Sequence, residues 1–293
     1  MLGRSFREQW RELLMGLGIG ILAVVAIVLP FSVYQEKPVE WLIELYRDTL
    51  SSYAFATVNT ANLYYLLAAN WVSINTLLRP LLPLLTALVL AALGTAVLFG
   101  RKWEVSFLKS RNGQLSLLLY AFAAFAVLSL LAALHSPLTG MVNYGIYGYI
   151  MMAFVFAYAI LLMFHDKADL PFYLALALLG VYVLGVKIHE RYLFPALVML
   201  VLAYLRKRDS RLLWLMAAAS CVAFANTAIV LDNALLFGSA SGHLNDDTLA
   251  VNVVLAILNV GMVGFGGYMA YTGLRETPEQ APKPEKKQEK KHI

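Results

Sequence analysis

The sequence predicts an all-α protein: a polytopic transmembrane helical bundle of about eight spans, with an interfacial helix in the first outer connection. Three observations predict this. Of 293 residues, 60% are hydrophobic and 14% charged, with mean hydropathy +0.69, against roughly 45–50% and about 25% in soluble domains. The apolar residues gather in windows of about 20, the length that crosses a bilayer. Lys and Arg collect between those windows. The net charge of +5 therefore comes from segment ends and the final residues. No basic helical face is present, and nucleic acid is excluded as a partner. The single cysteine, Cys221, excludes an intrachain disulfide and a cysteine-built metal site.

The predicted spans run over 14–34, 80–100, 115–134, 145–164, 170–188, 192–205, 212–231 and 249–273. The first is longer than the apolar core of a signal peptide and has no small-residue cleavage pattern after it, so a retained span is expected. GLGIG at 16–20 lies inside it and reads as helix packing, because no strand precedes it. Residues 1–274 form the expected membrane domain. Residues 275–293, rich in Lys, Glu, Gln and Pro, form an expected disordered cytoplasmic tail.

Basic residues set the orientation. They cluster at Arg4, Arg7 and Arg11, in the loop from Arg101 to Arg111, in RKRDSR at 206–211, and from Lys283 to Lys291. All four clusters are cytoplasmic only if 170–205 crosses twice, with KIHERY (187–192) at the outer turn. Both termini are then cytoplasmic in a bacterial-type plasma membrane. A long tilted helix or a re-entrant piece is the competing reading of 170–205. On the outer side the two-crossing reading gathers 35–79, 135–144, KIHERY and 232–248.

VEWLIELYRDTL (39–50) places Trp41, Leu42, Leu45 and Tyr46 on one face, the pattern of a helix lying at the interface. In the following stretch Asn59, Asn62 and Asn70 sit among Tyr53, Phe55, Tyr64, Tyr65 and Trp71. Asparagine caps helices and also offers a donor and an acceptor to a sugar hydroxyl. An aromatic belt with a helix cap and a sugar site are both consistent with that spacing.

VNTANLYYLLAANW (58–71), KIHERYLFPALVMLVLAYL (187–205) and FANTAIVLDN (224–233) together resemble segments of bacterial membrane glycosyltransferases of the Gpi18-like mannosyltransferase type, within the GT-C class. The resemblance implies a polyprenyl-phosphate sugar donor used at the extracytoplasmic face, and covers that family's C-terminal half. It departs from the family in lacking an acidic first outer loop. No Asp-x-Asp or Glu-x-Asp stands in a predicted outer loop, and Glu36 matches no motif. No catalytic residue is assigned.

Charge inside an apolar run is costly and is a functional candidate by default. For a polyprenyl phosphate, Arg191 offers a planar fork and Lys187 a point charge. They share a face if the helix continues through them. His189 could hydrogen-bond or protonate a departing phosphate oxygen. Glu190 would orient Arg191 or cap a turn, and Tyr192 would anchor the next span or contact a sugar. Alternatively, the two cations snorkel to headgroups and a Glu–Arg pair closes a hairpin. Asn59, Asn62 and Asp232 complete the candidate substrate-binding set. Asn226 is expected to hydrogen-bond another helix. His243, Asn245, Asp246 and Asp247 read as a solvated loop. No metal site is assigned, although a divalent cation is compatible with the family.

Two function classes follow. One is a membrane glycosyltransferase or its C-terminal module. The other is a non-catalytic membrane subunit that binds lipid-linked sugar or partners a separate catalytic chain. A transporter has less support, since no inverted repeat is evident and the charges cluster at one edge.

Overall fold

A long apolar stretch in lipid can satisfy its backbone only internally, as helix. The computed structural model describes residues 6–99, 110–135, 142–165, 169–237 and 246–274. In chain order it contains α1 (Phe6–Ser32), α2 (Pro38–Ser52), a short strand β1 (Thr57–Val58), one turn of helix α3 (Leu63–Leu66), α4 (Leu81–Phe99), α5 (Arg111–Leu134) and α6 (Tyr144–His165). There follow α7 (Leu170–Leu184), β2 (Ile188–His189), a 3-10 turn (Glu190–Leu193), α8 (Phe194–Lys207), α9 (Ser210–Phe237) and α10 (Asp246–Thr272). Among the described residues six helices, α1, α4, α5, α6, α9 and α10, are long and apolar enough to cross a membrane. The chain is an all-α integral membrane protein. Outside the described residues lie the 275–293 tail, Arg4, the basic stretch 101–109, most of the 135–144 loop, Asp166, His243 and Asn245.

The chain divides into two units, residues 1–53 and 54–293. In the first, α1 is apolar from Leu14 to Ser32. Helix α2 begins at Pro38, with a Lys37–Glu40 ion pair at 2.9 Å; of its predicted apolar face Trp41 and Leu42 are half-buried, and Leu45 and Tyr46 are exposed.

The second unit is a bundle whose consecutive helices reverse direction. Phe125 of α5 stacks on Tyr147 of α6 and Phe122 meets Phe154, which fixes that pair as antiparallel. Lys207, ending α8, lies 3.4 Å from Asp169, which precedes α7. Arg211 at the start of α9 binds Asp209 and donates to the Gly273 carbonyl just past α10. Arg111, starting α5, donates to the carbonyl of Ala270 near the end of α10. One end of the bundle is therefore held by Arg111, Lys207 and Arg211. The opposite end carries residues 54–79 and 185–193, with Tyr144 at the start of α6 tied to the Thr76 carbonyl.

Helix α7 is shorter than its predicted span, and α8 is as long as predicted but starts at Phe194 rather than 192. Helix α7 ends at Leu184 rather than 188 because Ile188 and His189 pair with β1 instead of continuing the helix. KIHERY is thus not a tight hairpin turn but an extended pair followed by a 3-10 turn. Lys187 and Arg191 consequently do not share a helical face.

Two glycines set how closely α6 and α7 approach. A Cβ on Gly148 would collide with Val186, and one on Gly180 would collide with Val155. Gly148→Ala should lower stability by about 1–3 kcal/mol through overpacking. Gly261→Ala meets nothing within 4 Å and should be neutral or stabilising by about 0.5–1 kcal/mol. Thermal unfolding of both variants in one detergent checks the contrast.

Candidate functional site

Residues 54–62 leave helical geometry inside a helical bundle, so their peptide groups need partners from elsewhere. Neighbouring backbone supplies part of the need. On one side Ala56 N–H donates to Val72 O at 2.7 Å, Trp71 N–H to Thr57 O at 3.0 Å and Ile74 N–H to Ala54 O at 2.9 Å. On the other side β1 pairs in parallel with β2, Thr57 opposite Ile188 and Val58 opposite His189. Lys187 N–H donates to Phe55 O at 3.2 Å, and the Thr60 hydroxyl to Ile188 O at 2.7 Å. A hydrogen bond of 3.0 Å from the Tyr64 hydroxyl to Leu184 O ties α3 to the end of α7.

Asn70 Oδ1 accepts from Asn59 N–H at 2.8 Å, and side-chain amides from two membrane helices supply further partners. Asn226 of α9 accepts from Ala61 N–H at 3.1 Å and donates to Asn59 O at 2.9 Å. It also bonds Asn252 of α10 at 2.8 Å and accepts from the Tyr182 hydroxyl of α7 at 3.1 Å. Asn259 donates to Ala61 O. Asn226, Asn252 and Asn259 are all 0% exposed. An amide carries both donor and acceptor, so one side chain can replace the partners a strand would provide.

The asparagines of the 58–71 stretch are also built into the fold. Asn62 caps α3, its Oδ1 accepting from Tyr65 N–H at 3.1 Å. Asn59 Oδ1 accepts from Asn70 Nδ2 and from Trp71 Nε1, each at 3.0 Å. Asn59, Ala68, Trp71 and Lys187 all adopt left-handed backbone, with φ of 52°, 53°, 58° and 59°. The other described non-glycine residue at positive φ, Arg208, ends α8. A bulky side chain in that region costs of order 1–2 kcal/mol and persists only where its surroundings impose it.

KIHERY splits into a buried and an exposed part. His189 and Glu190 are buried, 6% and 9% exposed, with Nδ1 and Oε2 3.6 Å apart. That is an ion-pair distance and is longer than a hydrogen bond. The His189 ring meets Tyr192 edge-on at 5.6 Å. Lys187 is half-buried, while Arg191 and Tyr192 are exposed. Burial on its own would push the Glu190 carboxyl up. The adjacent His189 imidazole, Glu190's own backbone N–H and the Arg191 charge outweigh it and hold the pKa below the ordinary carboxylate value.

The predicted set is therefore brought together in part. Asn59, Asn62, Lys187, His189, Glu190, Arg191 and Tyr192 belong to one assembly formed by residues 54–79 and 185–193. Helix α9 runs past the predicted span end at 231, so Asp232 is not at a terminus. It is exposed on α9, five residues before Phe237. Asn233 is the buried neighbour, seven residues from Asn226 and so on the same helical face. Asn252 and Asn259 escaped the sequence reading, although their own spacing of seven on an apolar helix was a visible signal. Among the described residues no group of three His, Cys, Asp or Glu side chains could hold a metal ion. No protein family, curated protein or solved structure matches this chain.

The depressed Glu190 pKa gives a pH prediction with a definite sign. A carboxyl whose folded pKa lies below its unfolded value of about 4.3 contributes stability above that pH. The contribution is lost as pH falls through the folded value. Wild type should therefore lose more melting temperature than Glu190→Gln between about pH 5 and pH 3, with the two curves parallel above that window. Thermal unfolding across that range in detergent reads the difference.

Proposed function

We propose that this chain is a membrane-embedded module of the GT-C glycosyltransferase kind, binding a polyprenyl-phosphate-linked sugar at the extracytoplasmic face. The observation that supports it is convergence. Three segments far apart in sequence, 58–71, 187–192 and 224–233, meet in one hydrogen-bonded assembly, and they are the segments that carry the family resemblance. In this reading Arg191 and Lys187 hold the donor phosphate, and His189 stands beside a departing phosphate oxygen.

Orientation follows from the two ends of the bundle. Arg111, Lys207 and Arg211 mark the cytoplasmic end by the basic-residue rule, in a bacterial-type plasma membrane with both termini cytoplasmic. Helices α7 and α8 then count as two crossings, bringing the total to eight, and α2 lies along the outer interface. With 15 residues, α7 rises only about 22 Å, against a hydrocarbon thickness of about 30 Å. KIHERY would then sit below the outer surface, at the depth where a lipid-linked phosphate meets acyl chains. Irregular backbone is tolerated at such depth only when protein covers it or a cavity is lined by it.

A second reading, a non-catalytic subunit that binds lipid-linked sugar beside a separate catalytic chain, has its own observation. Glu190 is the buried carboxylate of the assembly, and it is committed to His189. Asp232 lies exposed on α9, off the face that Asn226 presents. Donor turnover by the purified chain alone, with and without divalent cation, separates the two readings.

Phosphate binding is tested by comparing polyprenyl phosphate with the uncharged polyprenol in nanodiscs. The phosphate should bind more tightly, and Arg191→Ala should weaken it by roughly 10- to 100-fold, the value of a charge-assisted hydrogen bond. Lys187→Gly should weaken binding while leaving melting temperature unchanged or raised, because glycine accepts left-handed backbone freely. Equal binding of both lipids, or unchanged affinity in both variants, would remove the assignment.

A further inference from the structure

We infer that Trp71, backed by Phe55, forms a shelf for the hexose ring of the lipid-linked donor, beside a phosphate held at Lys187. This rests on the donor reading above and adds the place where the sugar lies. Most of the 54–62 stretch is buried, but Phe55, Trp71 and Lys187 are each half-buried and keep part of their surface outside. The Phe55 and Trp71 rings meet edge to face, with centroids 5.0 Å apart. The Trp71 indole N–H is fixed on Asn59 Oδ1 at 3.0 Å. The ring is thus held from its polar edge, as a rigid platform requires.

The backbone sets the three on adjacent rows, with Trp71 N–H on Thr57 O, two residues along from the Phe55 carbonyl that Lys187 N–H bonds. Residues 54–58 form the middle row, with Ser73 bridged to Phe55 on one side and Lys187 bonded to Phe55 O on the other. Adjacent rows in a ladder lie about 4.8 Å apart, so the tryptophan row and the lysine row are separated by about 10 Å. That is the scale of a hexose carrying an anomeric phosphate. A pyranose presents a face of C–H groups that packs on an aromatic ring, and aromatic groups with few convergent polar partners are the usual lining of such sites.

Trp71 and Lys187 also share a backbone cost. Both are non-glycine residues in left-handed geometry, at φ 58° and 59°. Interfacial anchoring of a tryptophan needs no such conformation, since a ring at headgroup depth can hang from ordinary backbone. Asn59 and Ala68 share the geometry, so surrounding hydrogen bonds impose it on the whole assembly, and strain concentrated in this way is found at ligand clamps.

The test measures a ratio: the dissociation constant of bare polyprenyl phosphate divided by that of polyprenyl-phosphate mannose or polyprenyl-phosphate glucose, with full-length protein in nanodiscs. Wild type should bind at least one sugar-bearing lipid several-fold more tightly than the bare lipid. Trp71→Leu should bring the ratio to about one and leave bare-lipid affinity in place. Trp71→Phe, which keeps an aromatic face, should retain most of the preference. If Trp71→Leu does not fold, Phe55→Leu, which removes the backing ring, should lower the ratio instead. A ratio of one in wild type, or one unchanged by these substitutions, overturns the shelf and leaves the phosphate reading intact. Failure of wild type to bind either lipid overturns the donor reading and the shelf with it.

Discussion

A peptide chain that departs from helix within an apolar bundle must find a partner for every N–H and C=O it exposes. That requirement organises this protein. The 54–62 stretch lies among helices with Ala56, Thr57, Thr60, Ala61 and Asn62 all at 0% exposure. Its amides are met by residues 71–74, by β2, and by asparagine side chains of α9 and α10. Asn226 matters most because it joins Asn59, Ala61, Asn252 and Tyr182 at once. An interhelical hydrogen bond in a membrane averages only about 0.6 kcal/mol, but here the alternative is a buried Ala61 N–H left without a partner and an Asn59 carbonyl left with Asn252 Nδ2 at 3.5 Å. A buried peptide group without a partner costs about 1–3 kcal/mol.

The same latch explains why charge can sit where KIHERY does. Pairing of β1 with β2 stops α7 at Leu184 and turns 185–193 into an extended piece and a 3-10 turn. Glu190 is then buried beside His189, while Arg191 and Tyr192 face outward. The left-handed residues of the 54–79 and 185–193 segments are tolerated because surrounding hydrogen bonds impose them. A sequence selected for stability alone would place glycine at Ala68 or Lys187.

How much of this was legible depends on how local the cause is. The windows at 80–100, 145–164 and 249–273 match α4, α6 and α10 to within a few residues, since hydropathy and helix formation are both properties of the window. The asparagine cap at Asn62 was legible too, because its acceptor and the Tyr65 donor are three residues apart. The early end of α7 was not, because its cause is a pairing with residues about 130 positions earlier. Nor was the commitment of Asn59, whose partners Asn70 and Trp71 lie 11 and 12 residues away. The spacing in 51–71 is consistent with both an aromatic belt and a sugar site. Burial of the backbone there depends on amides contributed by α9 and α10.

Asn226 latches the 54–62 backbone to the helices and through it holds KIHERY in place. Hydrogen exchange of the full chain in detergent, comparing wild type with Asn226→Leu, tests this most directly. Peptides covering 55–62 and 186–193 should exchange roughly 10- to 100-fold faster in the variant, from loss of about 1–3 kcal/mol of local protection, while α4, α5 and α6 keep their wild-type rates. Unchanged exchange at 55–62, or an equal increase in every helix, would contradict the account.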